Sequence, residues 1–252
     1  MKRVKIELLK RKHEHEFETN KGRLKYLFLP AKSSDFLLVI FSAFPSINKP
    51  ASYNYVDTFK DVNCHRIYIL DDFGPDIRGG SYYLGKNKDF FIAEMVTEFI
   101  EHKAKELGIQ YKNIITSGTS KGGYASLYFS FKNGYGYSIV GAPQTLLGNY
   151  LSDHLTYFEY IAGFFNEAAV EFLNEQLFNQ VKNRKDTPQI FLHVGKGEHH
   201  YIDHVLPFCN FLDVQGIPYE LDIQDYNNHS DVGKFYPSFA LQQIKEITRT
   251  NQ

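Results

Sequence analysis

Residues 118–122 read Gly-Thr-Ser-Lys-Gly, which fits the G-x-S-x-G pattern of a nucleophilic serine on a sharp turn between a strand and a helix. Side chains two positions either side of such a serine would collide with neighbouring backbone, so glycine is needed at both positions. A β-rich run (114–116) precedes the pattern and a helix-like run follows it, as the turn requires. We therefore predict that Ser120 is a nucleophile. A glycine-rich structural turn is the alternative.

The partners of such a serine follow it in the chain order serine, acid, histidine. His229 comes after the last predicted strand, where a loop would hold its imidazole over Ser120 as the general base. Glu198 leaves the end of the preceding strand and would orient that imidazole. Asp203 is a competing acid, but it falls within the next predicted helix. Asp231 is too close to His229 in sequence and is predicted to cap the last helix instead.

A tetrahedral intermediate at the serine needs two N–H donors for its oxyanion. One is predicted to be the backbone N–H of Lys121, the residue after Ser120. The other is predicted to come from Ser42 or Ala43, in the loop that follows a buried strand. The Lys121 side chain is either solvated or attracts phosphate groups of a substrate.

Four further residues are candidates for binding the substrate or supporting the catalytic set. Arg78 lies where strand ends are expected to converge, and it would bind phosphate or carboxylate bidentately or form a surface salt bridge. Gln144 follows the predicted strand 137–140 and would hydrogen-bond the acid or the substrate, or merely begin a helix. Tyr82 and His199 are placed with them, on the expected rim of the same site.

A histidine-rich stretch raises the alternative of a metal site. His200 and His204 would face the same way on a helix, with His193, His199 and Asp203 nearby. No zincin-like pattern accompanies them, and the serine, acid and histidine set already accounts for the region. We therefore predict no metal.

Apolar runs alternate with helical stretches, which is typical of a mostly parallel sheet with helices on both faces. The continuous apolar run 36–41 suits a strand buried on both faces. Residues 89–107 are predicted to form an amphipathic helix, with Asp89 as N-cap and Gly108 ending it. The other predicted strands are 4–9 and 24–29 (an opening hairpin), 65–70, 113–117, 137–140, 190–194 and 219–223, and the other helices are 121–132, 201–214 and 232–248.

Residues 145–185 interrupt this alternation with a helical, aromatic-rich insertion. It is either a lid over the site or an ordinary pair of packing helices. No repeat, low-complexity tract or linker divides the chain, so residues 1–252 are predicted to form a single domain. Together with the serine turn, this order predicts an α/β-hydrolase fold.

Composition narrows the classes of function. The 252 residues carry a formal net charge of −1, so no overall field recruits nucleic acid or an anionic membrane. The two cysteines, Cys64 and Cys209, are predicted to be buried free thiols. The first 18 residues lack the apolar core of a signal peptide, and no apolar run approaches the roughly 20 residues of a membrane span. We expect a cytoplasmic protein.

Several short segments resemble the bacterial capsular polysaccharide O-acetyltransferases of the serogroup A meningococcal type. More loosely, they are similar to the acetyltransferase of the accessory Sec glycoprotein export system. The similar segments, spread between residues 38 and 236, are 40–45 (Ile-Phe-Ser-Ala-Phe-Pro), 118–123 (Gly-Thr-Ser-Lys-Gly-Gly), 142–144 (Ala-Pro-Gln), 195–198 (Gly-Lys-Gly-Glu), and His229 with the helix after it.

The resemblance implies acetyl-CoA as acetyl donor, an acetyl-Ser120 intermediate, and a sugar hydroxyl of a surface polysaccharide as acceptor. It implies His229 as base and Glu198 as acid, although the family has Asp at that position. It places Gln144 beside these three residues and Arg78 near an anionic acceptor. It also implies a capsule-biosynthesis assembly, and it leaves a homo-oligomer and peripheral attachment to the inner face of the cell membrane open.

Three functions remain from the sequence. The first is the O-acetyltransferase, and the second is a serine esterase or deacetylase that uses the same three side chains. The third is a non-catalytic scaffold within a polysaccharide or secretion assembly, which an intact serine, acid and histidine set argues against.

Overall fold

One eight-stranded sheet forms the centre of the molecule. In the computed structural model, which describes residues 9–46 and 48–250, the strand order is β1-β2-β4-β3-β5-β6-β7-β8. Strands β3 to β8 run parallel, and β1 and β2 add an antiparallel hairpin at one edge. The strands are β1 (Glu14–Thr19), β2 (Gly22–Leu29), β3 (Leu37–Phe41), β4 (His65–Ile69), β5 (Ile114–Thr119), β6 (Tyr137–Gly141), β7 (Gln189–Gly195) and β8 (Tyr219–Gln224).

Helices cover both faces of this sheet. The α-helices of the described chain are α1 (Phe91–Leu107), α2 (Lys121–Asn133), α3 (Leu147–Ser152), α4 (Leu155–Ala162), α5 (Glu167–Lys182), α6 (Leu206–Val214) and α7 (Val232–Thr250). Thr116 and Ser117 are consecutive in β5, so their side chains point to opposite faces. Thr116 contacts Ser130 of α2 and Ser117 contacts Tyr236 of α7, each at 2.7 Å between hydroxyl oxygens. The prediction of a mostly parallel sheet between helices is confirmed.

The register of the sheet brings the ends of its strands level. Thr119 at the end of β5 pairs with Gly141 at the end of β6, and Gly195 at the end of β7 pairs with Gln224 at the end of β8. The segments that follow β5, β7 and β8 therefore leave the sheet at one edge. In open parallel sheets this carboxyl edge is where ligands bind.

The opening hairpin differs from the prediction. The predicted strand 4–9 lies outside the described residues except for Leu9, which begins a helical turn. The partner of β2 is instead β1, where Phe17 packs against Phe99 of α1 with 5.2 Å between ring centroids. Charged residues dominate β1 because it is an edge strand, and water solvates them there.

The ends of α1 were predicted with unequal success. Gly108 ends the helix in the left-handed conformation (φ 69°), as predicted. The prediction that Asp89 caps the other end is wrong, because Asp89 forms a backbone bridge with Lys86 and Phe90 precedes the helix. The other predicted strands and most of the predicted helices are observed, with ends shifted by one or two residues.

The insertion consists of α3, α4 and α5. Helix α5 packs against α2, whereas α3 and α4 place Tyr150 and Tyr157 beside a cavity at the carboxyl edge of the sheet. The predicted helix 201–214 is divided into a π-helical turn (Tyr201–Val205) and α6. Pro207 lies in the first turn of α6 and has no N–H to donate to a preceding turn.

Two further predictions are tested by the structure. Cys64 and Cys209 are buried free thiols, as predicted. Among the described residues, no helix has both the length and the apolar character that crossing a membrane requires.

Candidate active site

Ser120 occupies the turn between β5 and α2. Its backbone has φ 56° and ψ −119°, a conformation that costs a non-glycine residue about 1–3 kcal/mol. A Cβ at Gly118 would lie 2.5 Å from the backbone of Gly122, and one at Gly122 would lie 2.4 Å from the carbonyl oxygen of Phe41. The Ser120 N–H donates to the Gly141 carbonyl at 2.9 Å. The two glycines therefore permit a strained turn that presents the hydroxyl at the carboxyl edge of the sheet.

The structure brings the three predicted catalytic side chains together. His229 lies in a 3-10 turn after β8, and its Nε2 is 3.1 Å from Ser120 Oγ. Its Nδ1 forms a short hydrogen bond with Oε1 of Glu198, which follows β7 and is 1% exposed. The hydrogen-bond pattern assigns the Nδ1–H tautomer to His229, which leaves Nε2 free to accept the serine proton.

Glu198 is ionised at neutral pH although it is buried. Burial alone would raise the pKa of its carboxyl, but hydrogen bonds from His200 and His229 outweigh burial and lower that pKa to about 2. The carboxylate can therefore orient the His229 ring and stabilise the imidazolium that forms when Ser120 loses its proton.

His200 is a second imidazole on the same carboxylate, and sequence reasoning considered it only as a metal ligand. Its Nδ1 lies 3.0 Å from Glu198 Oε1 and 2.7 Å from His229 Nδ1. Burial lowers the pKa of His200 to about 4, so the ring is neutral at pH 7. The sequence signal that could have indicated this contact is that His200 follows Glu198 by two residues on one short turn.

The histidine stretch does not form the metal cluster considered above. His193 pairs with Asp222 at 2.7 Å on the β7–β8 side. In the described part of the chain, the one group of three or more side chains whose possible ligand atoms all lie within 4.8 Å of one another is Glu198, His200 and His229. Both Nδ1 atoms contact the same carboxylate oxygen, Oε1 of Glu198, and they lie 2.7 Å from each other.

The backbone N–H groups predicted to bind the oxyanion differ in the hydrogen bonds that they already make. Lys121 is the first residue of α2, where N–H groups have no acceptor within the helix. The Ser42 N–H donates to the hydroxyl of Tyr83, a fully buried residue, at 2.6 Å. The Ala43 N–H donates to Asn54 Oδ1 at 2.9 Å, and Asn54 is a half-buried side chain that a substrate oxygen can replace. Of the two candidates, Ala43 has the acceptor that is easier to displace, and it remains the predicted second donor.

The Lys121 side chain fits neither of the two interpretations above. Its ammonium is 1% exposed and pairs at 2.8 Å with Asp71, which is fully buried and also accepts from Ser81 Oγ at 2.6 Å. Burial lowers the pKa of Lys121, and Asp71 opposes that effect. Lys121 is therefore tied to the loop after β4 and is not available to a phosphate.

Arg78 is held over two aromatic rings. Its guanidinium carbon lies 4.6 Å from the ring centre of Phe44 and 5.5 Å from that of Tyr157, and Nη2 donates to the Pro45 carbonyl at 3.2 Å. Across residues 9–46 and 48–250, no carboxylate forms an ion pair with it, so the alternative of a surface salt bridge is wrong. The stacking leaves the cation available to an anionic ligand.

Gln144 and Tyr82 form a buried pair near the serine turn. The Tyr82 hydroxyl donates to Gln144 Oε1 at 2.6 Å, and both residues are fully buried. Gln144 is therefore a buried residue held by Tyr82 and does not lie on an exposed rim. His199 is exposed, with its ring centre 6.2 Å from that of His229.

Cavities adjoin this set on the side of α3 and α4. One of about 400 Å³ is lined mainly by side chains of α3 and of the π-helical turn, and one of about 60 Å³ lies between Arg78 and Tyr157. A larger cavity of about 530 Å³ lies between the amino ends of β7 and β8. The catalytic geometry, and not cavity size, identifies the site, because the parallel strands place it at their carboxyl ends.

No protein-family model matches the chain, and no curated protein matches it. Solved structures do. The capsule O-acetyltransferase of Neisseria meningitidis serogroup A in complex with CoA has a TM-score of 0.80 at 21% identity, over 95% of this chain and 99% of that one. A glycosylation-associated protein complex (Gap123) from Streptococcus agalactiae has a TM-score of 0.75 at 19% identity, over 92% of this chain and 46% of that one. The substrate-bound serine hydrolase FphF of Staphylococcus aureus has a TM-score of 0.69 at 11% identity, over 93% and 97%.

The chain has the α/β-hydrolase fold. This confirms the fold predicted from the serine turn and the element order, and the two kinds of protein that the short segments resemble are among these neighbours. At such identities the likeness is one of fold. The roles of individual residues therefore depend on the geometry described above.

Proposed function

We propose that this protein is a serine-dependent O-acetyltransferase. It moves an acetyl group from acetyl-CoA, through an ester on Ser120, to a hydroxyl of a bacterial surface glycan. The observation that carries the proposal is the hydrogen-bonded series from Ser120 Oγ through His229 to Glu198. The likeness to a capsule O-acetyltransferase solved with CoA supports the choice of donor and acceptor.

In the first half-reaction, His229 Nε2 takes the proton of Ser120 as Oγ attacks the acetyl carbonyl carbon. The N–H groups of Lys121 and Ala43 would stabilise the oxyanion, with Ala43 released from Asn54. The carbon–sulfur bond then breaks, the CoA thiolate takes the proton from His229, and acetyl-Ser120 remains. Arg78, stacked on Phe44, would pair with a phosphate of the donor.

In the second half-reaction, a sugar hydroxyl gives its proton to His229 and attacks acetyl-Ser120. The new ester forms on the sugar, and His229 returns the proton to Ser120 Oγ. Glu198 holds the ring in one tautomer throughout and remains ionised, in keeping with its low pKa. Transfer must outrun hydrolysis, so α3 and α4 would limit access of water to the ester.

A serine esterase or deacetylase is the second candidate. The serine hydrolase FphF shares the fold, and formation of an acyl-serine is common to both reactions. Arg78 favours the transferase, because an unpaired, stacked cation beside the cleft suits a phosphate-bearing donor better than a neutral ester.

The test is intact-protein mass spectrometry after exposure to acetyl-CoA, with CoA release followed in parallel. We expect one acetyl group on wild-type protein, located on Ser120 by peptide mapping, and none on His229→Ala. CoA release should accelerate when a glycan acceptor is added. Rapid turnover of p-nitrophenyl acetate, with no acetyl group gained from acetyl-CoA, would support the esterase instead.

Three expectations remain proposals beside this one. They are a capsule-biosynthesis assembly, cytoplasmic location with attachment at the inner face of the membrane, and a homo-oligomer. The likeness to a glycosylation-associated complex supports the first of them.

A further inference from the structure

A cavity of about 400 Å³ is lined in part by His199, whose ring centre lies 6.2 Å from that of His229, and neither half-reaction above uses it. Helix α3 and the loop after it line one side, and the turn after β7 lines the other. Its volume is in the range of small-molecule sites, about 300–1,000 Å³. Its main side chains are Tyr150, Asp153 and His154 on the first side, and His199, Asp203 and His204 on the second.

The His200 ring packs between side chains that line the cavity and His229 of the catalytic set. The His200 ring centre lies 4.2, 5.1 and 5.7 Å from those of His199, His204 and Tyr150, which all line the cavity. Its Nδ1 contacts His229, whereas its buried Nε2 has no hydrogen-bond partner among the described residues. A buried ring nitrogen without a hydrogen-bond partner is costly, and neither the catalytic set nor the described lining of the cavity supplies one.

The charges of the lining select against anions. Asp153 and Asp203 are carboxylates, and neither lysine nor arginine lines the cavity. Burial lowers the pKa of His204 to about 3, and burial also lowers the pKa of His154, so both rings are neutral at pH 7. A phosphate or carboxylate group here would be repelled by two carboxylates without a compensating cation.

A neutral polyol suits the same lining. Each carboxylate accepts hydrogen bonds from two hydroxyls, and a neutral imidazole both donates and accepts. The Tyr150 ring offers an apolar surface to the C–H face of a sugar.

Arg78, the cation of the site, lies on the other side of Tyr150 and His154 from this cavity. Tyr150 and His154 also line the smaller cavity, of about 60 Å³, which Arg78 borders. The cleft is thus divided into a cationic part and an acidic part, with Tyr150 and His154 between them.

We propose that the 400 Å³ cavity binds the acceptor, and that this acceptor is an uncharged oligosaccharide with vicinal hydroxyls and not a polyanionic glycan. The proposal depends on the proposed function, because it specifies the substrate of the second half-reaction. It reverses the earlier expectation for Arg78, which now serves the anionic donor while Asp153 and Asp203 hold the sugar.

The test compares neutral and anionic probes as accelerators of CoA release. Chitotetraose and a galactose oligosaccharide are the neutral probes, and polysialic acid and polygalacturonate are the anionic ones. We expect at least a tenfold acceleration by a neutral probe and less than twofold by either anionic one. The proposal is overturned if an anionic probe is the better acceptor, or if no neutral probe accelerates release.

The acidic side chains are tested with Asp153→Asn combined with Asp203→Asn, at positions exposed enough to tolerate the change. The KM for the neutral acceptor should rise about tenfold, compared at equal levels of acetyl-Ser120 measured on the same samples. Glu98→Gln, which removes an exposed carboxylate on α1, is the matched control and should keep the wild-type KM.

An acceptor KM that is the same in the double variant as in wild type would overturn the proposal. Failure of the proposed function is a separate result, since it appears as wild-type protein that gains no acetyl group on Ser120. Failure of the acceptor proposal leaves that acetyl group in place.

Discussion

The two sides of Ser120 are built in different ways. We call them the imidazole side (Glu198, His199, His200, His204 and His229) and the oxyanion side (Ser42, Ala43, Asp71, Tyr83 and Lys121). On the imidazole side, the rings of His199 and His204 line the cavity of about 400 Å³, and His200 Nε2 has no hydrogen-bond partner among the described residues. On the oxyanion side, buried polar groups are paired with one another, as Lys121 is with Asp71.

This difference in pairing and access fits the chemical role proposed for each side. Groups that exchange protons and admit substrates need access, which buried and fully paired groups do not have. Donors for an oxyanion must already point at it before charge develops, so that no reorganisation is needed during the reaction. The predictions below alter one side at a time.

The largest effect is expected on the imidazole side, from Ser120→Ala and His229→Ala. Each should lower the rate of CoA release by about 10⁴–10⁶, and the double variant should be no worse than either, because these residues act as a unit. Stopped-flow or steady-state detection of free thiol measures the rate. Variants that keep more than a tenth of the wild-type rate would remove Ser120 from the mechanism.

The next effect is expected on the oxyanion side, from Asp71→Asn. It leaves the buried Lys121 ammonium without a counter-charge, which costs about 3–5 kcal/mol of unfolding free energy. Combining it with Lys121→Met should recover much of that loss, since no buried charge then remains. Urea denaturation measures both.

The exposed pair Arg23–Glu16 is the control for this ion pair. Its nitrogen–oxygen distance is 3.1 Å, but its side chains are 63% and 37% exposed. Glu16→Gln should therefore change the unfolding free energy by less than about 1 kcal/mol. Equal losses from Glu16→Gln and Asp71→Asn would show that the oxyanion side is not held by its buried charges.

A smaller effect is expected from Tyr83→Phe. The Tyr83 hydroxyl accepts from the Ser42 N–H at 2.6 Å and donates to the Ile69 carbonyl at 2.9 Å. Its removal leaves a buried N–H unpaired, so stability should fall by about 1–3 kcal/mol, with a loss of activity as the neighbouring Ala43 N–H shifts. Thermal denaturation and the rate of CoA release measure the two effects.

Tyr124→Phe is the matched control. Tyr124 is also fully buried, but its hydroxyl has no hydrogen-bond partner among the described residues. Stability should therefore stay the same or rise slightly, because an unpaired polar group is removed. If both substitutions cost the same, the hydroxyl of Tyr83 does not support the oxyanion donors.

The difference between the imidazole side and the oxyanion side also explains which residues the sequence could predict. The sequence predicted that Ser120, His229 and Glu198 lie together, as they do in the structure, because a turn pattern and chain order constrain where such side chains fall. Asp71 and Tyr83 were missed, because their roles depend on contacts between loops that no spacing records. The one available signal was an acidic residue, Asp71, directly after the buried strand β4.

Main-chain donors were predicted less well for a related reason. Fold order pointed to the loop after β3, but it did not distinguish Ser42 from Ala43, since any residue carries an N–H. In the structure both N–H groups are hydrogen-bonded, Ser42 to the buried Tyr83 hydroxyl and Ala43 to the half-buried side chain of Asn54. Strand β1 was missed because its charged residues suit an edge, whereas the sequence argument looked for buried, apolar strands.

The smallest effect is expected on the imidazole side, in the way the unfolding free energy changes with pH. His204 is 3% exposed, and burial lowers its pKa to about 3, whereas in the unfolded chain an unperturbed histidine has a pKa near 6.5. Between these values the unfolded chain binds the extra proton, so stability falls as the pH is lowered. One such group contributes up to about 1.4 kcal/mol per pH unit.

His204→Asn should reduce this slope, because Asn keeps an acceptor for the Leu146 N–H and does not titrate. Urea denaturation between pH 5.0 and 6.5 measures the effect, and Glu198, with a pKa of about 2, stays ionised in the folded protein throughout that range. His200, whose pKa burial lowers to about 4, still contributes in the variant. The pKa values of His65, His154 and His193 are also lowered by burial, so the slope should diminish without vanishing. An unchanged slope would mean that the His204 ring is hydrated and that the imidazole side is more open than the distances indicate.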